Sequence, residues 1–357
     1  MSRIVEVVPS LGTTGGVERF VLATASELIR RGISTAVVCL TSRTGSVAEG
    51  WFTDRGIEVH YLGKRKGLDL SVVPRLDRII SDLQPEVVHT HLHVDKYLVC
   101  CPSLWAVKTR CHTVHLAAAM EMGHMDRSVE HGLYRFAHFI PVAISTEVRT
   151  SICDLYGLSD CALIRNGVEI PHERTKTGAD ASCLFLNVGR LSEQKNHRML
   201  LSAFALVRRV CPGARLEIAG EGPLRQVLEE YAQSLGLSDS VVFLGLRSDI
   251  PQLLQAADAF VLSSSYEGLS IALLEAMASG LPVVTTAVEG VNDVMTDGQT
   301  GMVVALEDTV GFAQSMVRLT QSVDLRRSMG SAAREVVQSR YSIVRQVDEY
   351  VRLLGLA

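Results

Sequence analysis

Residues 263–285 read Ser-Ser-Ser-Tyr-Glu-Gly-Leu-Ser-Ile-Ala-Leu-Leu-Glu-Ala-Met-Ala-Ser-Gly-Leu-Pro-Val-Val-Thr. The pattern predicts the end of a strand, a small polar loop, a helix and a second strand. Gly280 and Pro282 are expected to end the helix, because glycine tolerates a left-handed cap and proline cannot continue the hydrogen-bonded ladder. Since this helix is apolar on nearly every side, it is predicted to be buried.

Two carboxylates stand out in this apolar setting. Glu275 lies inside the predicted helix, where an unpaired charge is costly, so we expect it to have a hydrogen-bond donor. Glu267 lies just before the helix, next to Gly268, Leu269 and Ser270. The free N–H groups and positive dipole of a helix N-terminus favour a phosphate, so the stretch predicts an anion site. An alternative stays open, in which Glu267 belongs to a capping box and Glu275 to a structural ion pair.

Length and composition exclude several classes of protein. A chain of 357 residues, 47 % of them hydrophobic, suggests two domains with cores of ordinary size. The net charge of −4 makes a nucleic-acid-binding surface unexpected. Eight cysteines without a Cys-x-x-Cys motif indicate free thiols in a reducing compartment. Neither a signal peptide nor a membrane-spanning run is predicted, so we expect a cytoplasmic protein.

Strand and helix patterns alternate along the chain, which predicts an α/β fold with two doubly wound parallel sheets, each covered by helices. Residues 1–170 form the first predicted domain and residues 183–339 the second. The polar, turn-forming segment 171–182 is predicted to link them. Residues 340–357 are predicted to form a final amphipathic helix, and residues 95–108 a helix despite Pro102.

Ligands of open parallel sheets bind beyond the carboxyl ends of the strands, and a glycine pair follows the first predicted strand. Gly15 and Gly16 open the next helix. Without side chains, their backbone N–H groups can approach a phosphate closely. A tight turn with no ligand is the alternative interpretation.

Three polar loops follow predicted strands of the second domain. Arg190 and Lys195 lie in the first and could converge on a diphosphate, Arg through its forked guanidinium and Lys as a point charge. The alternative is a pair of solvated charges. The other two loops, which contain Gly220 and Arg247, could wall a nucleotide base or be plain turns.

Histidines cluster in the first domain, at positions 89, 91, 93, 112 and 115. His89, His91 and His93 alternate and are expected to share one face of a strand end. A zinc site is one interpretation, although no Cys-x-x-Cys or His-Glu-x-x-His motif accompanies them. His115 ends a strand at a loop, as a catalytic or substrate-orienting histidine would, or it is an ordinary surface histidine. Since no Asp-x-Asp motif ends a strand, no metal is expected at the diphosphate.

Together these residues resemble the retaining, nucleotide-sugar-dependent glycosyltransferases of family four, also called glycosyl transferases group 1. The resemblance covers nearly the whole chain and is strongest over residues 188–286. Its most specific part is the pair Glu267 and Glu275, separated by seven residues and followed by Ala-Met-Ala-Ser-Gly-Leu-Pro-Val-Val. The segment 189–195 fits the family's Gly-Arg-Leu-x-x-x-Lys motif. The supporting matches are Gly15, Gly16, His115 and Asn166.

The resemblance implies the GT-B fold, in which two Rossmann-like domains face a central cleft, the second domain binds the donor and the last helix returns to the first. Glu275 would bind the ribose, Arg190 and Lys195 the diphosphate, and Glu267 the sugar hydroxyls. His115 would face the transferred sugar. The implied catalytic residues are His115, Glu267, Arg190 and Lys195. The implied donor-binding residues are Gly15, Gly16, Asn166, Arg190, Lys195, Gly220, Arg247, Glu267, Gly268, Leu269, Ser270 and Glu275.

The implied reaction moves a sugar from a nucleoside diphosphate sugar, by family frequency a UDP-sugar, to a hydroxyl of a glycan or lipid-linked saccharide. It retains the anomeric configuration and needs neither metal nor cofactor. We expect same-face displacement, with Glu267 as the only candidate for an enzyme nucleophile. The alternatives are a sugar-nucleotide epimerase, a phosphorylase of this fold or a non-catalytic nucleotide-sugar-binding subunit.

The acceptor side is less specified by the sequence. Residues 117–126 are small and Met-rich, which suits an adaptable surface near the acceptor. Trp51 with Phe52, and the basic residues 64–66, could touch an anionic membrane from its inner face. A solvated basic turn is the alternative.

Overall fold

The computed structural model describes residues 3–12, 15–118, 124–173 and 182–356. The chain divides into two α/β units, one formed by residues 1–167 and 343–357 and the other by residues 168–342. Within the described ranges, no helix combines the length and apolar character that a membrane span requires. All eight cysteines are free thiols, as the composition predicts. Part of the predicted linker and of the Met-rich loop, residues 174–181 and 119–123, lies outside the described ranges.

The first unit is built on a seven-stranded parallel sheet. Its strands are β1 (Arg3–Val8), β2 (Ser34–Cys39), β3 (Glu58–Tyr61), β4 (Val87–His91), β5 (Thr109–Val114), β6 (Ile140–Ala143) and β7 (Ala162–Leu163). Its helices are α1 (Gly16–Arg30), α2 (Val47–Asp54), α3 (Val73–Leu83), α4 (Asp95–Leu98), α5 (His124–Phe136), α6 (Thr146–Tyr156) and the C-terminal helix Ile343–Leu354. The strand order β3-β2-β1-β4-β5-β6-β7 reverses direction between β1 and β4.

Strand β1 shows why this sheet forms. Strands buried on both faces read as unbroken runs of β-branched residues, and Ile4, Val5, Val7 and Val8 are all at most 1 % exposed. Glu6 interrupts this run at 0 % exposure. A carboxylate at such a position needs partners, which the neighbouring strand supplies.

Three local expectations for the first unit are wrong. The helix predicted over residues 95–108 is split into α4 and a short 3₁₀ helix, Pro102–Ala106, because proline lacks an N–H and clashes with the preceding turn. The last helix begins at Ile343, since Arg340 still belongs to the preceding helix. Phe52 is fully buried, so the expectation that it faces a membrane is wrong, whereas Trp51 is partly exposed under the guanidinium of Arg19 and its membrane contact stays a prediction.

The second unit contains a six-stranded parallel sheet. Its strands are β8 (Leu184–Val188), β9 (Arg215–Ala219), β10 (Val241–Gly245), β11 (Ala259–Leu262), β12 (Val283–Thr286) and β13 (Gly301–Val304). Its helices are α7 (His197–Val210), α8 (Arg225–Ser234), α9 (Ile250–Ala256), α10 (Ile271–Ala278), α11 (Val291–Val294), α12 (Thr309–Gln321) and α13 (Val323–Arg340). The order β10-β9-β8-β11-β12-β13 reverses direction between β8 and β11.

The stretch 263–285 folds as its pattern predicts, as loop, buried helix α10, turn and strand β12. Gly280 adopts the left-handed conformation with φ +73° just after α10. Helix α13 packs closely against this turn, because a Cβ added at Gly330 would lie 2.2 Å from the carbonyl oxygen of Gly280. The glycine in α13 therefore permits a backbone-to-backbone contact that holds α10 in place.

This contact can be tested with two glycine-to-alanine substitutions in helices. Gly330→Ala should destabilise the protein by about 1–3 kcal/mol, because the new methyl group has no space. Gly50→Ala in α2 is the control: its Cβ meets nothing within 4 Å, so higher helix propensity should stabilise it by up to about 1 kcal/mol. Urea unfolding gives both free energies. Equal stability of the Gly330 variant and the wild type would contradict the packing described.

Candidate active site

In the parallel second sheet, the order in which the chain adds its strands reverses between the adjacent strands β8 and β11. The carboxyl edge at such a point is where open α/β sheets bind ligands. Here the loops after β8 and β11 meet, and the N–H of Ser265 donates to the carbonyl of Gln194 at 2.8 Å. Lys195 follows β8, and Glu267 follows β11. The topology therefore brings together two residues that are 72 positions apart in sequence.

Lys195 and Glu267 form an ion pair at this edge. The Lys195 Nζ donates to Oε1 of Glu267, and the Ser264 hydroxyl donates to the same oxygen at 2.7 Å. The Ser263 hydroxyl donates to the backbone carbonyl of Lys195 at 2.9 Å and so fixes the lysine's position. The side chains of Lys195 and Glu267 are 16 % and 8 % exposed. The pair is thus largely sheltered, with the lysine the more open partner.

The capping-box interpretation of Glu267 is wrong. Helix α10 is capped by Ser270, whose side chain accepts from the N–H of Leu273 at 3.4 Å. Glu267 contacts Ser264 through side-chain atoms only, whereas a capping box would pair each side chain with the other residue's backbone N–H. The loop 268–270 is buried just before the first turn of the helix. Glu267 is therefore available to organise the lysine rather than the helix end.

Glu275 differs from its neighbours in α10. Leu274 and Ala276 are fully buried, whereas Glu275 is half-buried. The expectation of a carboxylate enclosed in the core is therefore wrong in degree, because the helix turns this side chain toward its one less covered side. A half-buried carboxylate costs less to keep charged and can still meet a polar ligand.

The remaining predicted residues of this unit have different surroundings. Arg190 is exposed and makes no side-chain ion pair with any described residue. Arg247 forms a two-pronged salt bridge with Asp249, with Nε–Oδ1 at 2.7 Å and Nη2–Oδ2 at 2.5 Å. The guanidinium of Arg247 lowers the pKa of the Asp249 carboxyl. The charge of Arg247 is thus already balanced, whereas Arg190 has no such partner within the described part of the chain.

Gly220 lets two loops pack backbone against backbone. A Cβ at this position would lie 1.8 Å from the carbonyl oxygen of Gly189, and the Gly220 N–H donates to the carbonyl of Gly245 at 2.9 Å. The absent side chain is therefore required by the protein's own packing. This packing is enough to explain why position 220 is a glycine, and no ligand is needed to explain it.

In the first unit, Glu6 joins two histidines on the neighbouring strand. Oε2 of Glu6 lies 2.9 Å from Nδ1 of His89 and 2.8 Å from Nε2 of His91. The other nitrogen of His91 lies 3.1 Å from Nε2 of His115. His115 is 9 % exposed and the other three residues at most 1 %. Sequence reasoning missed Glu6, although a single carboxylate within an apolar strand is a visible signal.

Burial and these contacts shift the pKa values of the cluster. Burial alone would raise the pKa of Glu6, but the adjacent imidazoles of His89 and His91 lower it to about 2. Burial, with the nearby His89, lowers the pKa of His91 to about 4. Burial also lowers the pKa of His115 well below its usual value, with the other histidines adding to the effect. The carboxylate is therefore ionised and His91 and His115 are neutral near pH 7.

His93 does not join the cluster. Strand β4 ends at His91, and Leu92 takes a left-handed conformation with φ +58°. This turn leaves His93 exposed, so the expectation that it shares a face with His89 and His91 is wrong.

Two buried sets of side chains bring three metal-type donor atoms within 4.8 Å of one another among the described residues. In the set of Glu6, His89 and His91, the carboxylate oxygen already accepts hydrogen bonds from both imidazoles. These three side chains therefore satisfy one another without a metal ion. In the set of Asp95, His112 and Glu130, His112 Nδ1 lies 2.8 Å from Asp95 Oδ2 and Tyr156 donates to Glu130 at 2.5 Å. Neither set adjoins the Lys195 loop in sequence or in sheet order, and the expectation of no metal at the diphosphate stays a prediction.

The other predicted residues of the first unit lie at element ends. Gly15 is the extended N-cap of α1 and contributes no side-chain cap, and Gly16 is the exposed first residue of the helix. Asn166 is buried. The next residue, Gly167, donates its N–H to Gln346 of the C-terminal helix, which ties the end of this segment to that helix.

Buried neutral histidines should make stability fall with acidification. Burial, together with Lys195, lowers the pKa of His197 in α7 to about 4, as burial does for His91. Below the ordinary value of 6.5, protons bind the unfolded chain first, so this stabilisation is complete above pH 6.5 and is lost as the pH falls toward 4. Each such histidine contributes a loss of at most about 1.4 kcal/mol per pH unit. Urea unfolding at several pH values measures it, and constant stability over that range would contradict these environments.

Comparison with known proteins extends these observations. The family model described as Glycosyltransferase Family 4 matches residues 14–171, and that described as Glycosyl transferases group 1 matches residues 170–336. The lipopolysaccharide core biosynthesis glycosyltransferase LpsE of Rhizobium meliloti is 28 % identical over 356 residues, covering 96 % of this chain and 97 % of the relative. An Escherichia coli UDP-Gal:alpha-D-GlcNAc-diphosphoundecaprenol alpha-1,3-galactosyltransferase is 33 % identical over 171 residues, 47 % of this chain and 45 % of the relative.

Solved structures agree on the fold. The crystal structure of Anabaena Alr3699/HepE in complex with UDP and glucose has a TM-score of 0.84 at 19 % identity, with all of both chains covered. The two parallel-sheet units and this likeness confirm the expected GT-B fold. With two family models that together match residues 14–336, the chain belongs to the family-four glycosyltransferases.

Proposed function

We propose that this glycosyltransferase moves a sugar from a UDP-sugar to a hydroxyl of a glycan or lipid-linked saccharide, with retention of configuration and without a metal ion at the diphosphate. The observation that carries the proposal is the Lys195–Glu267 ion pair at the carboxyl edge of β8 and β11. It places a sheltered cation beside the start of α10, whose N-terminal N–H groups favour an anion. The relatives favour this donor and acceptor, since one of them is named for UDP-Gal and a diphosphoundecaprenol-linked sugar.

The chemistry follows from where charge develops. As the bond between the sugar and the diphosphate breaks, negative charge grows on the leaving phosphate, and pre-positioned cations and N–H groups stabilise it. Lys195 supplies one such charge, and the exposed Arg190 on the same loop supplies a second. Glu275, on the second turn of α10, is the residue that we propose to accept from the ribose hydroxyls.

Glu267 suits an organising role better than a nucleophilic one. Its Oε1 accepts from both Lys195 and the Ser264 hydroxyl, and both contacts draw electron density from the carboxylate. This supports same-face displacement, in which the leaving phosphate accepts the proton of the acceptor hydroxyl. A covalent sugar trapped on Glu267 would overturn it.

An assay of UDP release tests the reaction and separates its alternatives. UDP-sugars are incubated with and without a lipid-linked saccharide, and the nucleotide products are quantified. The proposal predicts UDP release that increases with acceptor. An altered nucleotide sugar formed without acceptor would show an epimerase, and binding without any release would show a non-catalytic subunit.

Removing the lysine should slow this reaction. Lys195→Ala is expected to lose roughly 2–4 kcal/mol of transition-state stabilisation in kcat/KM for the donor, because one charge-stabilising donor is gone. Lys108→Ala, at an exposed position in the first unit, is the control and should turn over normally. Unchanged turnover in the Lys195 variant would contradict its assignment to the diphosphate.

We also propose peripheral contact with an anionic membrane at its cytoplasmic face, through the loop 65–70. Arg65 and Lys66 are exposed, and Leu68 and Leu70 beside them are 60 % and 59 % exposed. Basic side chains attract anionic lipids and apolar ones insert among the headgroups.

Flotation with anionic liposomes at low salt tests this contact. The wild type should float, and the double variant Arg65→Glu with Lys66→Glu should not. A double reversal at the exposed Arg209 and Arg215 of the second unit is the matched control and should float. Failure of the wild type to bind would refute the contact.

A further inference from the structure

A continuous chain of hydrogen-bonding groups crosses the buried face of the first sheet and ends at His115. It runs from the Tyr350 hydroxyl to Thr113 Oγ1 at 2.7 Å and on to His89 Nε2, also at 2.7 Å. From His89 Nδ1 it reaches Glu6, then His91 and His115, over distances of 2.9, 2.8 and 3.1 Å. This series of hydrogen-bonding groups lies where the strand order of the first sheet reverses, between β1 and β4.

Glu6 determines the direction of the protons in this chain. An ionised carboxylate only accepts hydrogen bonds, so the nitrogens of His89 and His91 that face it must both carry protons. A neutral imidazole has one N–H and one acceptor nitrogen. With its proton on Nε2, the neutral His91 must therefore accept at Nδ1, and its partner, Nε2 of His115, must donate. Neutral His115 then has no proton on Nδ1.

Packing holds these rings in place. Phe20 of α1 meets His91 and His115 edge-on, with ring centroids 5.4 and 5.2 Å away. Oε1 of Glu6 has no hydrogen-bond partner among the described residues, so the carboxylate's hydrogen bonds go to the two imidazoles alone. Burying a charge for so few partners is costly where the rest of β1 uses valine and isoleucine, which indicates a role beyond packing.

We propose that Glu6 is a positioning residue which, through His91, fixes His115 in the tautomer that carries its proton on Nε2, and that turnover depends on this tautomer. The inference rests on the proposed glycosyl transfer for the role of His115 in turnover. The link from Glu6 to His115 itself depends only on the contacts described.

The tautomer of His115 can be measured directly in the intact chain. Two-dimensional ¹H–¹⁵N spectra of ¹⁵N-histidine-labelled protein show which ring nitrogen is protonated, and the signals lost in His115→Gln identify His115 among the 11 histidines. The wild type at neutral pH is expected to show a neutral ring with its proton on Nε2. A proton on Nδ1, or a charged ring, would overturn the proposal without any variant.

Glu6→Gln tests the cause. A glutamine amide can donate to His91, which then places its proton on Nδ1 and drives His115 to the other tautomer. We expect the His115 signals to change and turnover to fall about 10- to 100-fold, as when the hydrogen-bond partner of a functional histidine is removed. UDP affinity should be unchanged, since the donor nucleotide is assigned to the second unit.

Tyr350→Phe is the matched control, because it removes a buried hydroxyl from the far end of the same chain and leaves Glu6, His91 and His115 intact. It should keep both the His115 tautomer and the turnover. An unchanged His115 tautomer in Glu6→Gln, or a changed tautomer with full turnover, would overturn the proposal. If no sugar nucleotide is turned over, the proposed function fails, whereas the tautomer measurement still decides the link from Glu6 to His115.

Discussion

The ion pair of Lys195 and Glu267 forms where the two central strands of the second sheet end. A charged lysine that is mostly covered needs a partner, because its attraction to a carboxylate must offset lost hydration. Glu267 supplies that partner, and the Ser263 and Ser264 hydroxyls fix both sides of the pair. The buried helix α10 begins at this edge, and the Gly330 contact packs against the turn at its other end.

The same constraint operates in the first sheet with different chemistry. There the charge of Glu6 lies deeper, at 0 % exposure, and its partners are two imidazoles on the adjacent strand. Both clusters lie where the strand order reverses, a position at which parallel sheets leave room for polar groups. The second unit thus has a sheltered cation at this point of its sheet, and the first has a buried carboxylate linked to neutral histidines.

Much of this could be predicted from the sequence, and the failures have physical causes. The alternation of apolar runs predicted both sheets and the positions of Lys195 and Glu267 after two of the strands, because local periodicity determines which residues follow a strand. Glu6 was missed because its partners are more than 80 residues away and only strand pairing brings them together. His93 was misplaced because a left-handed turn at Leu92, which no pattern in the sequence announces, ends the alternation.

In the proposed function, the covered lysine at the edge of β8 and β11 binds the diphosphate of a sugar nucleotide. A crystal structure of the protein with bound UDP measures this directly. Nζ of Lys195 is expected to lie within about 4 Å of a phosphate oxygen, a salt-bridge distance, with Glu275 hydrogen-bonded to the ribose. A complex in which both side chains face away from the nucleotide would contradict it.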